Sequence, residues 1–288
     1  MKNQNLNSLS AWFEDLLFGG EKNNKNGIEK NVVTVIGSGG KTSLIWHLAA
    51  SLVRPPGIAK AARRRVLVTP TTKMFVPLPE TDLYDFYYGG QDDDEICRSF
   101  LHPDPGITLA GIFNNKTGKL ESLLPDHLEK IIHSYDLVLI EGDGSRGLPL
   151  KAWKDDEPVV PPFTDFTIGI LPLGNLGEPV SDSFVHGLPI FFALSGAAPK
   201  ESLKIEHIKK LITGRMVSFP MTDEPDKSFM SGLFVKARGR KILFFNQVED
   251  EVSLTYAREL ADTLQTDYKD DFFRIIAGSV KEDKLMEL

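Results

Sequence analysis

The sequence holds one cysteine, Cys97, among 288 residues. A single thiol excludes an internal disulfide and a zinc site built from cysteines. The six histidines (His47, His102, His127, His133, His186 and His207) fall at no ligand spacing, so no histidine metal motif is read. Positive charge is scarce: 33 Lys plus Arg against 40 Asp plus Glu give a net charge of −7. That is the wrong sign for a surface that holds nucleic acid by neutralising phosphates. No apolar run approaches the length of a bilayer span, and the stretch from Phe166 to Leu176 is interrupted by Gly169, Pro172 and Gly174. The first residues lack a basic region followed by an apolar core. The expectation is a cytoplasmic protein without nucleic acid or membrane as partner.

Hydrophobic residues make up 41% and charged residues 25%, ordinary globular usage that argues against a disordered, collagen-like or coiled-coil chain. The length suits one α/β domain over 1–288 and is short for two. Leu6, Leu9, Phe13, Leu16 and Leu17 recur at helical spacing, which predicts a helix over 5–18 stopped by Gly19-Gly20, with a polar loop at 21–30. Strands are expected at 32–36, 66–68, 107–113, 137–140, 166–171, 241–245 and 272–277. Helices are expected at 41–53 (closed by Arg54-Pro55-Pro56-Gly57), 125–134, 204–212 and 250–264. Continuous apolar strands alternating with helices predict a three-layer α/β fold, a mostly parallel sheet with helices on both faces. The Pro- and Gly-rich stretches 75–105 and 174–231 read as irregular insertions at the functional edge. Asp92 to Glu95 reads as a solvated face or a helix start.

Gly37-Ser38-Gly39-Gly40-Lys41-Thr42-Ser43 joins the first central strand to its helix. Glycines let backbone N–H groups converge on phosphate oxygens, and the helix N-terminus adds partial positive charge and unpaired donors. Lys41 would lie against the β- and γ-phosphates, and the Thr42 hydroxyl would ligate Mg²⁺. The usual pattern G-x-x-x-x-G-K-[ST] would need glycine where Val35 stands. The shorter G-x-x-G-K-T is similar to the loop of the Mur ligase and folylpolyglutamate synthetase ATPases. The expectation is therefore a P-loop NTPase-like fold binding ATP or GTP.

In doubly wound folds, ligands sit beyond the carboxyl ends of the strands. Glu141 and Asp143 follow one such strand. One would hold Mg²⁺ and the other orient an attacking water, and Arg146 would neutralise phosphate charge. The bland reading is a strand-end acid paired with Arg146. Lys151 would serve like Arg146 or be solvated. Thr71 and Thr72, after the second central strand, either contribute to Mg²⁺ or cap a turn. Asn246-Gln247-Val248-Glu249 stands where GTPases use Asn-Lys-x-Asp to clamp guanine, and it reads as a base-contact loop or as ordinary turn chemistry. Ala277-Gly278-Ser279 could close over the base similarly.

With these motifs in place, the sequence resembles the YqeC family. The resemblance is carried by Val35 to Thr42, Thr69 to Met74, the Glu141-Gly142-Asp143-Gly144-Ser145-Arg146-Gly147-Leu148-Pro149-Leu150-Lys151 block and Phe245-Asn246-Gln247. The family more often has alanine where Gly142 stands and threonine where Pro70 stands. The resemblance implies a P-loop accessory protein in the maturation of selenium-dependent molybdenum hydroxylases, with such a hydroxylase or its cofactor-maturation proteins as partner. It supplies no reaction. Three readings stay open: a slow Mg²⁺-dependent NTPase, a kinase or nucleotidyltransferase acting on a small molecule, and a non-hydrolysing nucleotide-gated chaperone.

Overall fold

The computed structural model describes residues 7–19, 31–53, 63–90, 103–219, 227–268 and 271–288. Gly20, the loop at 21–30, the Arg54–Gly57 helix stop, the acidic run 92–95, Cys97 and His102 lie outside the described residues. The strands in the first half are β1 (Asn7–Ser8), β2 (Asn31–Gly37), β3 (Arg65–Pro70), β4 (Lys73–Phe75), β5 (Phe86–Gly90), β6 (Gly106–Asn114), β7 (Lys119–Glu121) and β8 (Leu137–Glu141). There follow β9 (Leu150–Lys151), β10 (Phe166–Pro172), β11 (Val185–His186), β12 (Arg215–Phe219), β13 (Lys227–Ser231), β14 (Arg240–Asn246), β15 (Arg274–Ser279) and β16 (Lys284–Glu287). The α-helices are α1 (Leu9–Phe18), α2 (Lys41–Val53), α3 (Pro125–Ile131), α4 (Leu188–Ser195), α5 (Ile205–Thr213) and α6 (Glu251–Asp267).

Twelve strands form one sheet in the order β1-β16-β15-β14-β10-β2-β8-β3-β6-β7-β4, with β5 also pairing β6. The run from β15 to β6 is parallel throughout, and antiparallel pairs occur only towards the two edges. β2 lies between β10 and β8, well inside the sheet. Side chains alternate across the pleat, and that alternation sets the layers. Val33 and Val35 of β2, Leu137 and Leu139 of β8, and Ile242 and Phe244 of β14 pack with α1 and α2. On the other face, Val32, Val138 and Ile140 pack against Leu128 and Ile131 of α3. There too, Ile36, Leu171, Leu243 and Phe245 meet Phe191, Leu211 and Leu260 of α4, α5 and α6. The result is the expected three-layer α/β architecture with a mostly parallel sheet.

Local chemistry adjusts several boundaries. The first helix starts at Leu9 rather than at residue 5, because the Ser8 side chain accepts from the Ala11 N–H and caps it while Asn7 and Ser8 pair with β16. Asp283 holds this junction: its carboxylate accepts from Ser8, from the Ser10 N–H and hydroxyl, and meets His47 Nε2 of α2 at 2.8 Å. Residues 125–134 form one α-helix to Ile131 and then a tighter 3₁₀ turn through Ser134. The stretches taken as irregular contain regular elements. β4 and β5 lie in the first, and β11, α4, α5, β12 and β13 in the second. Among the described residues no helix is long and apolar enough to cross a membrane.

Candidate functional site

Because β3, β8, β2, β10 and β14 run parallel, their carboxyl ends converge on one edge. Glu141 is in register with Val35 of β2 and with Pro70 of β3. Gly37 faces Ile170, and Pro172 faces Asn246. The strand-end motifs at 37–42, 69–72, 141–143 and 246 therefore meet, although they are scattered over some two hundred positions of sequence.

The turn after β2 is the tightest feature of this edge. Gly37, Gly39 and Gly40 have φ of +103°, +75° and +138°, conformations that L side chains rarely adopt. A Cβ on Gly37 would strike the Ile170 carbonyl, and one on Gly40 would strike the Asn246 amide nitrogen. The Ser38 N–H donates to the Ile170 carbonyl at 3.0 Å. The Ser38 hydroxyl is buried and has no hydrogen-bond partner. The turn ends at Lys41, the first residue of α2, so the free N–H groups of that helix open at this edge.

Lys41 points back under the turn and is 4% exposed. Its Nζ donates to the Gly37 carbonyl at 2.6 Å and lies 3.2 Å from Asp143 Oδ1. Asp143 is fully buried. It accepts from the Gly37 N–H on both oxygens, at 3.2 and 3.0 Å, and from Trp153 Nε1 at 2.6 Å. Lys151 Nζ stands 3.6 Å from its Oδ2. Burial alone would raise the Asp143 pKa; Lys41, Lys151, the Gly37 N–H and the Trp153 indole outweigh it and hold the carboxyl below the usual aspartate range. Glu141, two residues earlier, behaves oppositely. Burial pushes it above the usual glutamate range, against the pull of Lys41 and of the Thr42 hydroxyl, which donates to Oε2 at 2.9 Å.

The expected site residues divide on this geometry. Gly37, Ser38, Gly39, Gly40, Lys41, Thr42, Glu141 and Asp143 come together, with Ser43 exposed on the first turn of α2. Asp143 does not face outward to orient a water, because the Gly37 N–H, Trp153 Nε1 and Lys41 Nζ already engage its two oxygens. Thr71 donates its hydroxyl to the Val159 carbonyl at 2.7 Å and its N–H to the Glu141 carbonyl at 3.0 Å, which is turn chemistry. The Thr72 hydroxyl is buried without a partner, as is that of Thr69. Arg146 is exposed, with φ +54°, and makes no ion pair with Glu141. The solvated reading of Lys151 gives way to a side chain with no exposed surface, which donates to the Gly144 carbonyl at 2.7 Å and to Glu157 at 3.0 Å.

The base-contact reading of 246–249 meets a physical obstacle at Asn246. Its Nδ2 donates to the Gly39 carbonyl at 2.8 Å and its Oδ1 accepts from the Val280 N–H at 3.1 Å, so the amide is committed to bracing the glycine turn. Glu249 accepts from Ser279 at 2.8 Å, and Gln247 is exposed with φ +61°. Trp153 and Glu157 were not read from the sequence. Their signal is weak there, since only the fold brings residues 153 and 157 back beneath the 141–144 segment.

Among the described residues, no group of three or more His, Cys, Asp or Glu could hold a metal ion. A divalent cation at this edge would need ligand oxygens beside those of the protein.

A family model described as YqeC protein matches residues 33–189, a stretch that contains the glycine turn, Glu141, Asp143 and Lys151 and stops before Asn246. A curated protein of Escherichia coli (strain K12), named "Uncharacterized protein YqeC", is 31% identical over 189 residues, covering 63% of this chain and 67% of that protein. No solved structure matches.

Proposed function

The chain belongs to the YqeC family, and from that premise we propose that it binds a nucleoside triphosphate with Mg²⁺ at the Gly37–Thr42 turn and hydrolyses it slowly. It does so as an accessory factor in the maturation of a selenium-dependent molybdenum hydroxylase. The nucleotide part rests on one observation above the others: Thr42, on the first turn of α2, lies 2.9 Å from the strand-end acid Glu141, with Lys41 buried beside them. Hydroxyl and carboxylate oxygens are the hard donors that Mg²⁺ prefers. The unpartnered Ser38 and Thr72 hydroxyls are further polar groups of this edge with capacity to spare.

In this reading the N–H groups of residues 39–42 receive phosphate oxygens. Lys41 leaves Asp143 to meet them. Thr42 and Glu141 would hold the cation, which when bound neutralises charge on the phosphates. Asp143 shapes the turn through the Gly37 N–H. No acid in the cluster is free to activate water, which supports slow turnover. The same observation favours a second reading, a nucleotide-gated binding protein with no turnover.

Thermal shift and calorimetric titration with ATP, GTP and CTP, with and without Mg²⁺, test the proposal on the wild-type chain and Lys41→Ala. Ligand at a hundredfold excess over Kd should stabilise the wild type by about 2.7 kcal/mol and leave Lys41→Ala unmoved. No shift with any nucleotide, or an equal shift in the variant, overturns it. Phosphate release from the bound state separates hydrolysis from gating.

A further inference from the structure

Lys41 cannot serve a phosphate while it serves Asp143. To leave, it must abandon a carboxylate with no exposed surface, and an unpaired charge at such depth is strongly unfavourable. A second lysine resolves the difficulty. Lys41 sits on Oδ1 of Asp143 and Lys151 lies near Oδ2, one cation to each oxygen. We propose that Lys151 is a positioning residue that frees Lys41 for the nucleotide, by taking over Asp143 when Lys41 withdraws. This rests on the nucleotide reading given above.

The geometry of Lys151 fits a reserve partner rather than a settled one. Its contacts with Gly144 and Glu157, at 2.7 and 3.0 Å, are hydrogen bonds, whereas its 3.6 Å approach to Asp143 is not. A short movement of Nζ towards Oδ2 would close that gap and loosen Glu157. The lysine is buried on the two-residue strand β9, held beside β11 in a shell with Leu150, Ala152 and Trp153.

The exchange also has a route to the surface. Glu157 lies two residues before Val159, whose N–H donates to the Gly142 carbonyl and whose carbonyl receives the Thr71 hydroxyl. When Lys151 turns to Asp143, the 154–159 segment loses its ion pair with the cluster, while the Val159 bonds remain. Nucleotide occupancy would thus be written onto that segment.

The test measures the affinity of the full chain for ATP and GTP, each with Mg²⁺, by calorimetry, alongside the unfolding temperature. Lys151→Met keeps the stem and removes the charge. It should weaken nucleotide binding more than tenfold, because Lys41 is then the only cation left to Asp143. Glu157→Gln leaves Lys151 in place and removes its competing acid, so it should tighten binding two- to threefold, and it keeps the proposal testable should Lys151→Met fail to fold. Lys151→Arg, which keeps the charge, should recover part of the loss. Wild-type binding with Lys151→Met equally tight, or Glu157→Gln weaker than wild type, overturns the role of Lys151 alone. A wild-type chain that binds neither nucleotide overturns the reading beneath it as well.

Discussion

The turn after β2 and the turn after β14 leave the same edge of the sheet, separated by β10 alone. They are made differently. The first has three glycines at positive φ, a lysine with 4% of its surface exposed and a carboxylate with none. The second has an exposed Gln247 at positive φ and an exposed Glu249 that serves Ser279, and its one buried polar side chain, Asn246, reaches across to steady the first. Charges are costly to bury, and the first turn buries them in mutual contact. Buried charge is thus concentrated at the first turn, and the second turn braces it through Asn246. The family match has the same shape, since it takes in the first turn and ends before the second.

The comparison breaks most completely at Asp143. Asp143→Asn leaves Lys41 and Lys151 buried without their shared counter-charge and should cost about 3–5 kcal/mol in urea unfolding at neutral pH. The sign follows from its depressed pKa: the stabilisation is complete above the ordinary aspartate range and is lost as pH falls through the folded value, so the gap between variant and wild type should close only in acid.

Gly40→Ala should come next. It combines φ of +138° with a Cβ aimed at the Asn246 amide, and a loss of about 1–3 kcal/mol is expected in thermal unfolding, with nucleotide binding lost as well. Glu141→Gln sharpens the contrast between the two acids. Glu141 is held above its usual range by burial, so its ionised form works against folding at neutral pH. The variant should be more stable than wild type by about 1 kcal/mol, roughly 2 °C, converging with it below the ordinary glutamate range, while its nucleotide binding loses dependence on Mg²⁺. Glu249→Ala should do least: a change within about 0.5 kcal/mol in stability and less than about threefold in the ratio of GTP to ATP affinity. A larger change in that ratio would restore a base-reading role to the second turn.

What the sequence disclosed follows the physics of each element. β2 and α2 were legible because a run of apolar residues, a glycine cluster and a 3.6-residue period each point one way, and α2 spans the expected 41–53. The antiparallel strands β4, β7 and β16 were missed because three or four residues carry no readable period. Helix α4 hid among prolines and glycines, though those residues are its boundaries: Pro189 opens its first turn, and Gly187 and Gly196 flank it in left-handed conformations. In the site, Thr42 and Glu141 could be paired from the strand-end rule. The burial of Lys151 could not, because a lysine after Pro149-Leu150 has the local signature of a surface residue. Only the return of residues 150–157 beneath β8 encloses it. Asn246 reads as a ligand group for a similar reason, since nothing local in the sequence reveals that its amide is already taken.

The Asn246 amide limits how the molecule can be divided. It clamps the Gly39 carbonyl on one side and the Val280 N–H on the other, so the curvature of the glycine turn is inherited in part from the hairpin of β15 and β16. A fragment trimmed to the family-matched residues 33–189 would keep each residue of the glycine turn and forfeit the buttress that gives it form.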